Sequence, residues 1–146
     1  MKEDFFIRVL NELKQESKCV SWQVGALIVK DGRIISTGYN GTLKGAPNCC
    51  DVYNSKNFDR AVHSKWSASH EIHAEANAIA MAVKSGIQLD KCACYCSLQP
   101  CTTCLLLIIQ SGIKEIIYVD DYDRSGWTPE LLNNIKRLGI ILRKYK

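Results

Sequence analysis

Apolar residues along this chain fall first at helical spacing and then into short runs. Phe6, Val9, Leu10 and Leu13 lie three or four apart, which predicts a helix over 3–17. Val24 to Val29 is an apolar run of strand length. Asp31-Gly32 reads as a hairpin turn, and Arg33 to Tyr39 as the return strand. An Ala-rich helix is expected over 73–85, stopping at Gly86. Cys92 to Ser97 predicts a strand, 101–111 a helix that stops at Gly112, and Glu115 to Val119 a further strand. Thr128-Pro129-Glu130 opens the last helix, with Thr128 as N-cap and Pro129 at the first position. It ends near Gly139, and Ile140 to Leu142 forms a final strand.

The predicted order is α-β-β-α-β-α-β-α-β. Strands separated by helices imply crossovers between parallel neighbours, so the second half should be a layered α/β sheet. From about Asn40 to about His70 neither period is sustained. A loop that long inside a compact domain is expected only where it is functional or pinned. This one holds Cys49, Cys50 and His63, and a metal staple would account for its order.

Composition narrows the class. A chain of 146 residues predicts a single domain spanning 1–146, and 47% hydrophobic residues supply a core. The longest apolar run, Leu105 to Ile109, is far shorter than the ~18 residues of a membrane span. The start, Met1-Lys2-Glu3-Asp4, is polar and unlike a secretory signal, so a cytoplasmic protein with no membrane partner is expected. In that compartment eight cysteines point to metal ligation or core packing over disulfides. A net charge of +4 suits an anionic substrate and is too mild to demand nucleic acid.

The candidate chemistry lies in His73-Ala74-Glu75 and Pro100-Cys101-Thr102-Thr103-Cys104. One imidazole and two thiolates give three ligands for a tetrahedral zinc with its fourth position open to water. Glu75 then remains free to accept and return protons. Cys101 and Cys104 sit three apart at a predicted helix start, where the helix dipole favours thiolates. A closed structural site with Cys96 as fourth ligand is the alternative, as is a redox Cys-x-x-Cys pair, which the His-x-Glu partner disfavours. Cys92, Cys94 and Cys96 alternate along a strand and share one face, about 6.5–7 Å apart, an awkward span for one ion. They read as small core residues. His70 reads as solvated.

The full combination is the recognised signature of zinc-dependent nucleobase deaminases. Over nearly its whole length the chain resembles the cytidine deaminase superfamily, and within it the deoxycytidylate (dCMP) deaminases of phage type. Further matches are Ser21-Trp22-Gln23-Val24-Gly25-Ala26, Gly38-Tyr39-Asn40-Gly41, Asn48-Cys49-Cys50, His63-Ser64-x-Trp66-Ser67 and Glu71-Ile72-His73-Ala74-Glu75. The resemblance implies a three-layer α-β-α sandwich with a five-stranded mixed sheet. It implies hydrolysis of dCMP to dUMP and ammonia, feeding dTMP synthesis, with Glu75 as the proton shuttle and a catalytic zinc on His73, Cys101 and Cys104. It adds a second, structural zinc on Cys19, Cys49, His63 and Glu71, with Cys50 as the alternative to Cys49.

The same resemblance implies that Asn40 holds the sugar hydroxyl and that Ala74 and the Val24–Ala26 segment, including Ala26, line the base pocket. Tyr122 would pack on the nucleotide or be an ordinary half-buried loop tyrosine. A homo-hexamer is expected, with dCTP and dTTP as effectors at Asn40 and Gly41, and Mg2+ accompanying a triphosphate effector. The chain departs from the family in three places. Thr42-Leu43 follows the Gly-Tyr-Asn-Gly turn where a proline is common, Gln23 replaces a basic residue, and Lys84 stands where phage relatives carry Arg. These departures bear on effector control. Lys44 near the turn is either a phosphate ligand or solvated. Competing functions are a tRNA-editing type of nucleic-acid deaminase, a deaminase of dCTP or of a modified dCMP, and a non-catalytic zinc module. The intact Glu75 opposes the last.

Overall fold

The computed structural model describes residues 2–146. The elements run α1 (Lys2–Lys14), β1 (Gly25–Lys30), β2 (Arg33–Tyr39), β3 (Gly41–Thr42), α2 (Cys49–Val52), α3 (Arg60–His70), β4 (Glu71–Ile72) and α4 (Ala74–Lys84). They continue with β5 (Ala93–Leu98), α5 (Thr102–Gln110), β6 (Glu115–Asp120), α6 (Pro129–Arg137) and β7 (Ile141–Lys144).

Five strands form a mixed sheet in the order β2-β1-β5-β6-β7. β1 runs antiparallel to both β2 and β5, whereas β5, β6 and β7 are mutually parallel. The β1–β2 turn puts both Asp31 and Gly32 at positive φ, the backbone that matches the twist of a two-residue hairpin. Strand alternation divides the core into two layers. Ala26 and Ile28 face the core that α4, α5 and α6 cover, in which Ala78, Ala82, Leu105, Ile108 and Ile135 are buried. Leu27 and Val29 face the other way, toward Phe6, Ile7 and Leu10 of α1. The result is the three-layer α-β-α sandwich. Cys92, Cys94 and Cys96 are buried in the first of these cores, as their shared face requires. Among the described residues no helix is long and apolar enough to cross a membrane.

The structure departs from the pattern-based expectation in two places. The first helix ends at Lys14, not 17: the next residues make tighter bonds, and the Ser17 hydroxyl turns away to donate to the Asn40 carbonyl at 2.9 Å. The unpatterned 40–70 stretch contains an 11-residue helix, α3. Its N-cap is Asp59, which accepts from the Val62 N–H at 3.0 Å. Its only buried residue is His63, and Val62 is exposed, so no apolar period betrays it. The short β3–β4 pair, Gly41 with Ile72 and Thr42 with Glu71, was likewise beyond a periodic reading.

One close approach fixes where α4 lies. A Cβ on Gly38 would meet the Ala74 carbonyl oxygen and the Ala78 nitrogen, each at 2.4 Å. The backbone of α4 therefore rests directly on β2. Ser36 Oγ reinforces the contact by donating to the Ala78 carbonyl at 2.6 Å. Gly38→Ala must push α4 outward, and is expected to cost about 1–3 kcal/mol in urea denaturation and to lower activity through displacement of residues 73–75.

Candidate active site

Two helices start at the same point in space. His73 is the N-cap residue of α4 and Cys101 that of α5, with Cys104 one turn further along. Helix N-termini present unpaired N–H groups and a positive dipole end, which stabilise thiolates. His73 Nδ1 lies 3.6 Å from Cys101 Sγ and 3.3 Å from Cys104 Sγ. Tetrahedral bonds of about 2.3 Å to sulfur and about 2.0–2.1 Å to nitrogen place S and N about 3.5 Å apart, so the three donors fit one zinc. Cys96 is not part of this cluster. The neighbouring Cys104 thiol and His73 imidazole hold the Cys101 thiol well below its usual range.

Glu75 sits on the first turn of α4 with 4% of its surface exposed, outside the three-donor cluster. Burial raises its pKa, against a hydrogen bond with Cys104 that lowers it. A carboxyl in that position can take up a proton and give it back.

These groups open into a cavity of about 280 Å³. Val24, Asn40, Ala74 and Tyr122 line it, as the sequence reading expects, and Leu98 adds an apolar wall. Asn40 is buried, and each end of its side-chain amide bonds the backbone. Its Oδ1 accepts from the Val24 N–H at 2.9 Å and its Nδ2 donates to the Trp22 carbonyl at 2.7 Å. It thereby clamps the 22–24 segment onto the end of β2. Tyr122 packs edge-on against Trp22, with ring centroids 5.8 Å apart. Its loop is held to α5, because Thr102 donates to the Ser125 carbonyl from both its N–H and its hydroxyl, each at 2.9 Å.

One expected residue lies elsewhere. Ala26 is fully buried in the core opposite Cys96, two residues beyond Val24 and too deep to reach the cavity. Gly41, expected at an effector site and not in this cavity, is paired in β3 with Ile72. Trp22, Arg60 and Arg124 are among the lining residues that carried no role in the sequence reading. Arg60 lies on the helix that periodicity missed, and Arg124 on a loop with no spacing signal. Lys44 is exposed and outside the cavity.

A second cluster gathers Cys19, Cys49, His63 and Glu71, with one donor atom from each within 4.8 Å of the others. His63 Nε2 lies 3.8 Å from Cys19 Sγ, 3.2 Å from Cys49 Sγ and 3.6 Å from Glu71 Oε1. Cys19 Sγ is 3.4 Å from the same carboxylate oxygen. The cluster is buried, and burial pushes the Cys19 thiol up to about 12. Glu71 Oε2 is buried without a partner. Four buried polar donors with one orphaned oxygen are costly unless a cation shares them. Cys50, the alternative to Cys49, is exposed and outside the cluster.

With this geometry the class is defined: residues 1–120 match the cytidine and deoxycytidylate deaminase zinc-binding region, and the chain belongs to that family. Its relatives include the deoxycytidylate deaminase of Enterobacteria phage T4, 37% identical over 91% of this chain and 86% of the relative. The human deoxycytidylate deaminase is 36% identical over 97% of this chain and 78% of its own. Among solved structures, the dCMP deaminase of cyanophage S-TIM5 in complex with dCMP and dUMP superposes with a TM-score of 0.77. It is 27% identical and covers 98% of this chain and 96% of its own.

Asn40→Ala strands the buried Val24 N–H and Trp22 carbonyl. A loss of about 1–3 kcal/mol is expected in chemical denaturation, with faster hydrogen exchange confined to the 17–24 segment.

Proposed function

We propose that this chain, as one catalytic unit over 1–146, hydrolyses dCMP to dUMP and ammonia. The observation that carries the reading is the buried Glu75 carboxyl, set beside but outside the His73–Cys101–Cys104 cluster, in a cavity of small-ligand size. Zinc, when bound by those three residues, supplies a polarised water that is nucleophilic near neutral pH. Glu75 is placed to accept a proton from the water that adds to the ring carbon bearing the amine. Glu75 returns this proton to the adjacent ring nitrogen. It then carries the second proton from the new hydroxyl to the amine, and ammonia leaves as the carbonyl forms. Burial suits Glu75 to both acceptance and return. Val24, Leu98 and the Ala74 backbone face the base, Asn40 the sugar and Tyr122 the nucleotide's open side.

The monophosphate level is supported by Arg60 and Arg124, both exposed and both lining the cavity, hence at its rim. Guanidinium groups suit a phosphate dianion. Two rim arginines do not amount to the stacking platform and basic groove that single-stranded nucleic acid requires, which disfavours the nucleic-acid reading.

The Cys19–Cys49–His63–Glu71 cluster is a second, structural zinc centre in this reading, supported by the orphaned Glu71 oxygen. A homo-hexamer in the cytoplasm, controlled by dCTP and dTTP with Mg2+, completes the proposal. The Gly38–Gly41 turn suits effector control: Asn77 Nδ2 donates to the Tyr39 carbonyl at 2.8 Å, and Gly41 pairs with Ile72 beside His73.

Glu75→Gln should lower kcat by about 10²–10⁴-fold while zinc content stays at the wild-type level; retained turnover would remove Glu75 from its role. Metal analysis of the wild type should find two zinc ions per chain, and one ion would remove the second centre.

A further inference from the structure

Arg60 joins the second cluster to the substrate cavity. Its Nη1 donates to Ser21 Oγ at 3.1 Å, and its guanidinium lies over the Phe58 ring, 5.4 Å from the centroid. Both supports hang from the cluster. Ser21 stands two residues beyond Cys19. Phe58 packs edge-on against His63, with ring centroids 5.3 Å apart. Arg60 itself lies one helical turn before His63 on α3. His63 is the buried residue of that helix, and half-buried Trp66 beside it packs edge-on against Tyr53. Ser64 and Ser67 of the same helix line the cavity with Arg60, and Ser67 Oγ donates to Glu71 Oε1 at 2.8 Å.

We propose that Arg60 receives the nucleotide's 5′-phosphate and that the second metal centre sets its posture, so occupancy of that centre governs affinity for the monophosphate. The proposal rests on reading Cys19, Cys49, His63 and Glu71 as a metal centre. A guanidinium already seated on an aromatic ring and a hydroxyl loses little further freedom when it binds phosphate. Releasing the ligands frees the Cys19–Ser21 segment and α3 separately, so the two supports of Arg60 part. Glu75 stands apart from this, because α4 is held by Gly38 and Ser36. Arg124 provides an internal control: it reaches the cavity from the loop that Thr102 anchors on α5, a loop whose contact with the Cys19–Trp22 segment is the edge-on packing of Tyr122 on Trp22. Ser21 and Phe58 are positioning residues.

The test is calorimetric titration of the zinc-loaded protein with dUMP and with deoxyuridine, alongside zinc analysis. Arg60→Gln and Cys49→Ser should each weaken dUMP binding by about tenfold or more, with deoxyuridine affinity unchanged. The Arg60→Gln/Cys49→Ser pair should be no weaker than Cys49→Ser alone, while Arg124→Gln adds its own loss to Cys49→Ser. Ser21→Ala removes no metal-ligating side chain, so it carries the test should Cys49→Ser fail to fold. It should keep two zinc ions and raise KM for dCMP several-fold with kcat held. Wild-type dUMP affinity in Cys49→Ser, or additive losses with Arg60→Gln, overturns the coupling. A wild type with one zinc per chain overturns the metal reading beneath it, a result distinguishable from two zinc ions without coupling.

Discussion

The convergence of two helix N-termini on one point is the constraint on which the rest depends. α4 can reach that point only because Gly38 has no Cβ, so its backbone rests on β2. α5 reaches it from the end of β5, the strand beside β1, through the buried Pro100. At the meeting point His73 and Cys101 both occupy N-cap positions. Neither side chain makes a capping hydrogen bond, so both remain available as metal donors. The unpaired N–H groups of the two first turns favour anionic sulfur there, and the same first turn of α4 buries Glu75 beside it.

Much of this was legible in the sequence, because each part leaves a local trace. Asp31-Gly32 marked the hairpin, Thr128-Pro129 the start of α6, and the glycines after α4 and α5 their ends. Single-residue alternation assigned Cys92, Cys94 and Cys96 to one face. His73, Cys101 and Cys104 were legible because their spacing encodes shared geometry at two helix starts. The illegible part is α3, whose buried side is a histidine rather than an apolar stripe. With α3 went Arg60 and the rim of the cavity. The depth of a residue along a strand left no trace either: Val24 reaches the cavity, whereas Ala26, two positions on, is sealed in the core.

The 40–70 segment thus belongs to the site as much as the motif does. Its order comes from Cys19, Cys49, His63 and Glu71, with Tyr53, Phe58 and Trp66 packed around the imidazole. Glu71 lies two residues before His73, and the β3–β4 pair binds the Gly-Tyr-Asn-Gly turn to the same stretch. One short segment, Glu71 to Glu75, therefore carries a donor to the second cluster, a donor to the first, and the proton shuttle.

The central claim is that these converging elements deaminate a free monophosphate. Ammonia release with dCMP, dCTP, deoxycytidine and a short cytosine oligonucleotide as parallel substrates tests it most directly. The account predicts the highest kcat/KM for dCMP, a loss of about tenfold or more for deoxycytidine, which lacks the phosphate, and no release from the oligonucleotide. Release from the oligonucleotide alone would contradict it.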